Sequence, residues 1–481
     1  MSGKISEYSA LLRAKKISSV ELTKAYLDEI EKSDKKYNAF VSIDPERALK
    51  AAAAADEAIK RGEGGLLTGI PYGVKNNIAE KGVVTDCCSR ILNGYRPTYN
   101  AAVIEKLNAE YAVPLGKNNM DEFAMGSSTE TSVYGATFNP VNTAYVPGGS
   151  SGGGAAAVRA GMAAFALGSD TGGSVRQPAA FTGIVGLKPT YGAVSRYGLI
   201  AYGSSLDQIG PLTTSVRDAA IVYDAVRGAD KRDMTSSPLS RTASDKLTGD
   251  VKKLRIGYPK EYFEGIDPEV KQIVESAFSF YRKAGAEIKE VSVPALKSAL
   301  PAYYIIACAE ASSNLGRYDG IRYGYRATDY DDVNEMIMKT RSEGFGKEVK
   351  RRIMLGTYVL SAGYFDAYYK QALRVRESVS EAMRALFDSV DVLLTPVAPT
   401  TAFPLNYTAE NMIETYMSDF CTVPVNIAGL PAVSLPAGNA SSNLPVGMQL
   451  IGARFTEDVV LNAAYAFETE HPVNIDMGVR I

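Results

Sequence analysis

Apolar residues recur at helical spacing near the start of the chain. Val20, Leu22, Tyr26, Leu27 and Ile30 follow Ser18 and Glu21, whose S-x-x-E pattern is that of a capping box, and together they predict a helix. An alanine run with charged ends predicts a second helix over Asp44 to Arg61, and the glycines of Gly62 to Gly69 break it. Ile70 to Ile78 reads as a strand or strand end carrying Lys75. From Pro147 to Gly210 the chain is dense in Gly, Ser and Thr, with a small-residue helix predicted over Ala155 to Leu167. Phe165, Leu167, Ile184, Val185 and Leu187 make this stretch too apolar for a flexible linker.

Beyond Gly210 the pattern alternates. Helices are predicted for Ser215 to Val226, Pro268 to Lys283, Tyr303 to Leu315, Asp332 to Lys339 and through Val349 to Phe387. Asp230 to Lys246 is polar and reads as an exposed connection. Strands are predicted at Leu254 to Tyr258, Glu287 to Val293, Val390 to Pro396, Ala432 to Leu435 and Val446 to Ile451. The last three are continuous apolar runs, as in strands buried on both faces. Alternation of this kind implies an α/β protein with a largely covered sheet. No repeat or shift in composition divides the chain, so one large domain is expected.

Composition narrows the partners. The 481 residues are 46% hydrophobic, ample for a large core. Lys plus Arg number 52 against 54 for Asp plus Glu, a net charge of −2, which gives no electrostatic footprint for nucleic acid or an anionic membrane. Cys87, Cys88, Cys308 and Cys421 contain no C-x-x-C pair and read as free thiols of a reducing cytosol, with no metal-ligand spacing. Met1 to Ser9 lacks the apolar core of a secretory signal. The most apolar stretch, Gly152 to Gly168, is short and interrupted by Arg159, below the roughly 18–20 residues of a membrane span. A soluble cytoplasmic protein is the expectation. The chain has one histidine, His471, which reads as a surface loop residue, so mechanisms built on a histidine base have almost no material.

Three segments carry candidate chemistry: Pro71 to Asn77 with Lys75, Pro147 to Gly154, and Gly168 to Pro178. A phosphate loop would need Lys-Ser/Thr after its glycines, where Ala155 stands. Gly152, Gly154 and Ala157 fit a loose dinucleotide pattern, but Pro147 to Ser151 is not strand-like. A G-x-S-x-G elbow is absent at Ser150 and at Ser174. A Ser–Lys pairing remains. At a pKa of about 10.4, about a thousandth of a lysine is neutral near pH 7.4, a handicap of about 4 kcal/mol that burial reduces. Lys75 sits between Val74 and neutral Asn76 with no adjacent carboxylate, compatible with a desolvated amine as well as with an ordinary lysine. Thr171-Gly172-Gly173-Ser174 can converge backbone N–H groups on one point, an oxyanion site, or form a plain glycine turn.

Taken together, these segments resemble the amidase signature family. The Gly-Gly-Ser-Ser-Gly-Gly core, the Asp-Thr-Gly-Gly-Ser-Val-Arg-Gln-Pro stretch and the upstream lysine match in order, with Lys75 preceding Ser150 by 75 positions and Ser150 preceding Ser174 by 24. The resemblance covers essentially the whole chain. Through Asn119 to Glu130, Ser312 to Gly324 and Arg352 to Thr357 it narrows to the branch formed by the A subunits of glutamyl-tRNA(Gln)/aspartyl-tRNA(Asn) amidotransferases. It implies one large domain over residues 1–481, with a central mixed β-sheet covered by helices on both faces and an N-terminal helical segment of about 1–62 packed on it. It implies Ser174 as nucleophile, Ser150 as relay behind a cis Gly149–Ser150 bond, Lys75 as base, and the amides of Thr171, Gly172, Gly173 and Ser174 as oxyanion hole. It implies Arg352 for a glutamine α-carboxylate and Asp419 for its α-ammonium, with Tyr303, Met125 and Ser127 also at the substrate. No metal or cofactor is implied in this chain. The B and C subunits of such a heterotrimer are the implied partners. ATP and Mg²⁺ would be bound by a partner, and charged tRNA held mainly by the B subunit. A stand-alone amidase for another carboxamide and a non-catalytic scaffold are the alternatives.

Overall fold

The computed structural model describes residues 3–239, 242–407, 416–473 and 475. Among them eleven strands form one sheet: β1 (Phe40–Ile43), β2 (Pro71–Lys75), β3 (Val113–Asn118), β4 (Phe165–Asp170), β5 (Val185–Lys188), β6 (Gln208–Thr213), β7 (Arg255–Pro259), β8 (Glu287–Val291), β9 (Val392–Pro396), β10 (Ala432–Asn439) and β11 (Pro445–Gly452). Their order is β1-β3-β2-β4-β6-β5-β10-β11-β9-β7-β8. β2 runs parallel to β3 and β4, and β7 parallel to β8 and β9, while the other pairs are antiparallel, so the sheet is mixed. Every residue of β2, β4, β5, β6, β9 and β11 is buried, which requires cover on both faces. The α/β class with a helix-flanked mixed sheet therefore stands.

Elements with local end signals fall where the sequence puts them. Ser18 and Glu21 close their capping box, with N–H bonds of 2.8 and 3.1 Å, at the head of Ser19–Tyr37. Ser215 caps Val216–Val226, and Asp267 caps Pro268–Lys283 with proline in the first turn. Helices Lys4–Arg13 and Pro45–Lys60 complete the N-terminal segment, whose strand β1 pairs with β3 at the sheet edge.

Two expectations are corrected. The helix expected over Ala155 to Leu167 is Gly152–Arg159; the chain turns at Gly161, with φ 72°, and Phe165 begins β4. A run of buried small residues has no polar face, so neither period marks where helix gives way to strand. The stretch Val349 to Phe387 is two helices, Lys347–Leu360 and Lys370–Leu386, with a π turn at Phe365–Tyr369. All four cysteines are free and buried. His471 is exposed at the end of helix Glu457–Glu470, stacked on Phe467 with ring centroids 4.2 Å apart. No helix among the described residues is long and apolar enough to cross a membrane.

This topology gathers the three segments. β2 and β4 are parallel neighbours, so Lys75, the last residue of β2, and Thr171, just after β4, lie at the same edge of the sheet. Ser150 stands just before helix Gly152–Arg159, which packs on β4. A second close approach joins helices Ala299–Asn314 and Lys347–Leu360, where a Cβ on Gly356 would lie 1.9 Å from the Cys308 carbonyl oxygen. Gly356→Ala is expected to force these helices apart and lower stability by about 1–3 kcal/mol. Thermal unfolding measures it, and an unchanged midpoint would mean the helix pair separates freely.

Candidate functional site

Lys75 is 1% exposed. Its Nζ lies 2.8 Å from Ser150 Oγ, 2.8 Å from Ser151 Oγ and 3.2 Å from the Ser169 carbonyl oxygen. Burial lowers the amine from 10.5 to about 7, against the opposing pull of Asp121, Asp170 and Asp207. At that value more than half of the amine is neutral at pH 7.4, in place of about a thousandth. Ser151 N–H donates to the Ser174 carbonyl at 3.1 Å, which stitches the two serine segments together. Ser150 is 0% exposed and Ser174 8%, so of the two hydroxyl-bearing residues Ser174 is the one that reaches outward. The Gly149–Ser150 peptide is cis, as the resemblance implies.

The loop after β4 folds around a buried ion pair. Burial alone would raise the Asp170 carboxyl, but the Arg176 guanidinium and Asn426 hold it well below the usual carboxylate range. Arg176, itself 0% exposed, spans Asp170 Oδ2 at 3.0 Å, Gln449 Oε1 at 2.9 Å, the Thr422 carbonyl at 3.1 Å and Asn426 Oδ1 at 2.6 Å. Asp170 also accepts the N–H groups of Gly173 at 2.8 Å and Val175 at 3.2 Å. The Gly173 amide is thus turned toward Asp170, which corrects the expectation of four converging donors. Thr171, Gly172 and Ser174 remain the candidate oxyanion amides. Bulk is excluded here: a Cβ on Gly172 would lie 2.5 Å from the Tyr303 hydroxyl, and one on Gly173, with φ 138°, 2.4 Å from Thr422 Oγ1.

Beside this loop lies a buried cluster of opposite charges. Arg352 donates through Nε to Glu348 at 2.7 Å and through Nη1 to the Tyr202 hydroxyl at 2.5 Å, with its guanidinium 5.4 Å from the Tyr304 ring centroid. Asp419 accepts from Tyr304 at 2.7 Å and from Ser127 at 3.1 Å, and burial raises its carboxyl to about 6. Thr422 joins the two regions, following Asp419 by one turn and donating to the Gly172 carbonyl at 2.6 Å. Gln177 joins them again, donating to the Ser127 carbonyl at 3.1 Å and accepting from Gly149 N–H at 2.9 Å.

The structure therefore brings Lys75, Ser150, Ser174 and Thr171 to Gly173 into one cluster, with Tyr303, Arg352, Asp419 and Ser127 adjoining. Met125 is wholly buried two residues before Ser127, its N–H bonded to the Glu122 carbonyl. Sequence reasoning missed Tyr304, which takes the Asp419 bond while Tyr303 lies against Gly172. It also missed Ser151 as a second hydroxyl on Lys75, and the pair Asp170 and Arg176. That pair was visible as opposite charges six positions apart inside the glycine motif.

Comparisons with known proteins find relatives over nearly the whole chain. The family model described as Amidase matches residues 21–461. The A subunit of glutamyl-tRNA(Gln) amidotransferase from Thermoanaerobacter pseudethanolicus is 53% identical over 472 residues, 98% of this chain and 96% of that protein. The crystal structure of the A subunit of glutamyl-tRNA(Gln) amidotransferase from Thermotoga maritima is similar with a TM-score of 0.80 at 40% identity, covering 96% of this chain and 93% of that one. Peptide amidase from Stenotrophomonas maltophilia is similar with a TM-score of 0.83 at 29% identity, covering 98% of each chain.

The Lys75 environment sets a pH expectation. Below about 7 the amine is protonated and cannot accept a proton, so labelling of Ser174 by a sulfonyl fluoride should rise with pH through about 7 and level off above. Lys75→Met should slow it by about a hundredfold or more. Labelling rates followed by mass spectrometry from pH 5 to 11 test this; a rate still climbing toward 10.5 would mean an ordinary lysine.

Proposed function

The chain belongs to the amidase family, and from that premise we propose that it is the glutamine-hydrolysing component of a tRNA-dependent amidotransferase. The buried cluster of Arg352, Tyr304 and Asp419 carries this reading. Free glutamine presents an α-carboxylate and an α-ammonium a few bonds from its carboxamide. An arginine fork suits the first and a carboxylate the second. A stand-alone amidase for a neutral amide would have no use for two buried opposite charges beside its nucleophile.

The chemistry runs through this chain's own residues. Ser174 Oγ attacks the side-chain carbonyl carbon of glutamine as its proton passes to Ser150, whose own proton goes to neutral Lys75. The amides of Thr171, Gly172 and Ser174 stabilise the oxyanion, an effect of about 3–4 kcal/mol per donor in comparable sites. Lys75 returns a proton through Ser150 to the leaving nitrogen, and ammonia departs. Water, deprotonated by the same route, cleaves the glutamyl ester and frees glutamate and Ser174.

The names of the relatives support a place in a multi-subunit assembly. In that assembly the ammonia passes to the B subunit, which activates mischarged Glu-tRNA(Gln) or Asp-tRNA(Asn) with ATP and Mg²⁺ and holds the charged tRNA, and the C subunit completes the heterotrimer. The near-neutral charge of this chain and its lack of a phosphate-loop motif accord with that division.

Ser174→Ala is expected to abolish glutamine hydrolysis, measured as ammonia or glutamate released; full activity in that variant would sink the proposal. Asp419→Asn should raise KM about tenfold or more by removing the anion from a buried pocket. Asp419 is protonated below its value of about 6, so KM should also climb as pH falls through 6. A KM flat from pH 5 to 8 would detach Asp419 from the ammonium group.

A further inference from the structure

Resting on the glutaminase reading, we propose that Tyr202 and Asp207 are positioning residues that join the carboxylate-binding Arg352 to the oxyanion loop at Thr171, so that one framework fixes both ends of the substrate. The juxtaposition begins in the sheet. β4 and β6 are antiparallel neighbours with Asp170 opposite Gln208, so Thr171 and Asp207 stand opposite each other one step beyond the ladder. Thr171 Oγ1 donates to Asp207 Oδ1 at 2.6 Å. The same carboxylate accepts the N–H of Gly203 at 3.1 Å and, through Oδ2, that of Tyr202 at 2.9 Å. Asp207 thus ties the 202–207 turn to the first residue of the oxyanion loop. Tyr202 closes the path, because its hydroxyl accepts from Arg352 Nη1 at 2.5 Å.

Four features mark this as a built device. Asp207 and Tyr202 are each 2% exposed, and burial raises the Asp207 carboxyl to about 6. A buried carboxylate held by two backbone N–H groups and one hydroxyl is expensive unless all three bonds stay made. The turn is anchored from outside as well: Glu310 accepts from Ser205 N–H at 2.9 Å and Asn314 donates to the Tyr202 carbonyl at 3.1 Å. Both anchors sit on helix Ala299–Asn314, which also carries Tyr303 and Tyr304. Finally, Arg352 is held at Nε by Glu348 and at Nη1 by Tyr202, so Nη2 is the edge that neither takes. A misplacement of about 1 Å between a binding group and the reacting atoms lowers turnover about a hundredfold. Loosening the strap should therefore act on kcat more than on KM.

The full-length chain, with co-purified partners, is assayed for glutamine hydrolysis as wild type, Tyr202→Phe, Thr171→Val and the double variant, with kcat and KM separated. Each single change is expected to lower kcat about 10- to 100-fold, the loss of one hydrogen bond to a charged group, with KM moving by less than about threefold. The double variant should fall no further than the worse single one, since both cut the same path. Thr171→Ser, which keeps the hydroxyl, should recover most of the kcat lost in Thr171→Val and guards against a simple folding defect. Tyr202→Phe raising KM with kcat unchanged, or losses that multiply in the double variant, would overturn the proposal. Wild-type turnover in the same assay separates failure of this coupling from failure of the glutaminase reading.

Discussion

Lys75 occupies a fully buried position where its amine meets two serine hydroxyls and one carbonyl oxygen, and the site is organised around keeping it so. Three buried aspartates, Asp121, Asp170 and Asp207, are close enough to act on its charge. At about 4 Å and an effective dielectric near 20, one facing carboxylate contributes about 4 kcal/mol, enough to cancel most of the drop that burial produces. All three also have partners elsewhere, Asp207 in Thr171 Oγ1 at 2.6 Å. Asp121 accepts from Thr129 N–H at 2.9 Å and Thr131 Oγ1 at 2.9 Å, and Asp170 is neutralised by Arg176. The amine stays depressed because its burial outweighs the pull of these carboxylates, which have hydrogen-bond partners of their own.

The same constraint explains the glycines. Three chain segments and three aspartates converge around one amine, which leaves little volume for side chains. A Cβ on Gly149 would lie 2.2 Å from Asp121 Oδ2 and 2.6 Å from Ser128 N. On Gly172 it would press on Tyr303, so the surface that excludes bulk from the loop belongs to the neighbouring pocket. Nucleophile loop and substrate pocket are therefore packed directly against each other.

What the sequence reveals follows from the range of the interactions involved. Helices with a capping serine or aspartate, such as Val216–Val226 and Pro268–Lys283, are legible because their ends are fixed by residues a few positions away. β1, β3, β4, β5 and β6 are not legible in the sequence. Strands such as Phe-Ala-Leu-Gly-Ser-Asp and Val-Gly-Leu-Lys are short and buried along their length, so they carry neither alternation nor a polar face. The Lys75, Ser150 and Ser174 set is legible through a family resemblance, since no spacing rule would join a strand end to a loop 75 positions on. The choice between Tyr303 and Tyr304, the inward turn of the Gly173 amide and the Tyr202–Asp207 strap depend on contacts between distant segments. Asp207 is opposite to Thr171 only because β4 pairs with β6, and nothing near either residue announces that pairing.

A scaffold of this kind explains how one family accommodates different amides. The lysine ends β2, Ser150 and Ser151 stand at the head of helix Gly152–Arg159, which packs on β4, and the Asp170–Arg176 pair stands on β4 and the loop after it, all fixed by the sheet. Arg352, Tyr304 and Asp419 come from two helices and a turn outside it, and they meet the sheet through a few bonds: Thr422 to Gly172, Gln177 to Ser127 and Gly149, and Tyr202 to Arg352. On the proposed reading, the chemistry any amide requires belongs to the sheet-bound layer and recognition of glutamine's two charges to the outer one. Buried charges in that outer layer are costly when unpaired, so Arg352 leans on Glu348 and tyrosine rings, while Asp419 accepts from two hydroxyls and lies within reach of the Arg352 charge. On the proposed reading a ligand's ammonium group meets Asp419, which has no cation in direct contact among the described residues, and its carboxylate meets the Nη2 edge that Glu348 and Tyr202 leave on Arg352, so substrate binding adds partners to charges the fold already holds.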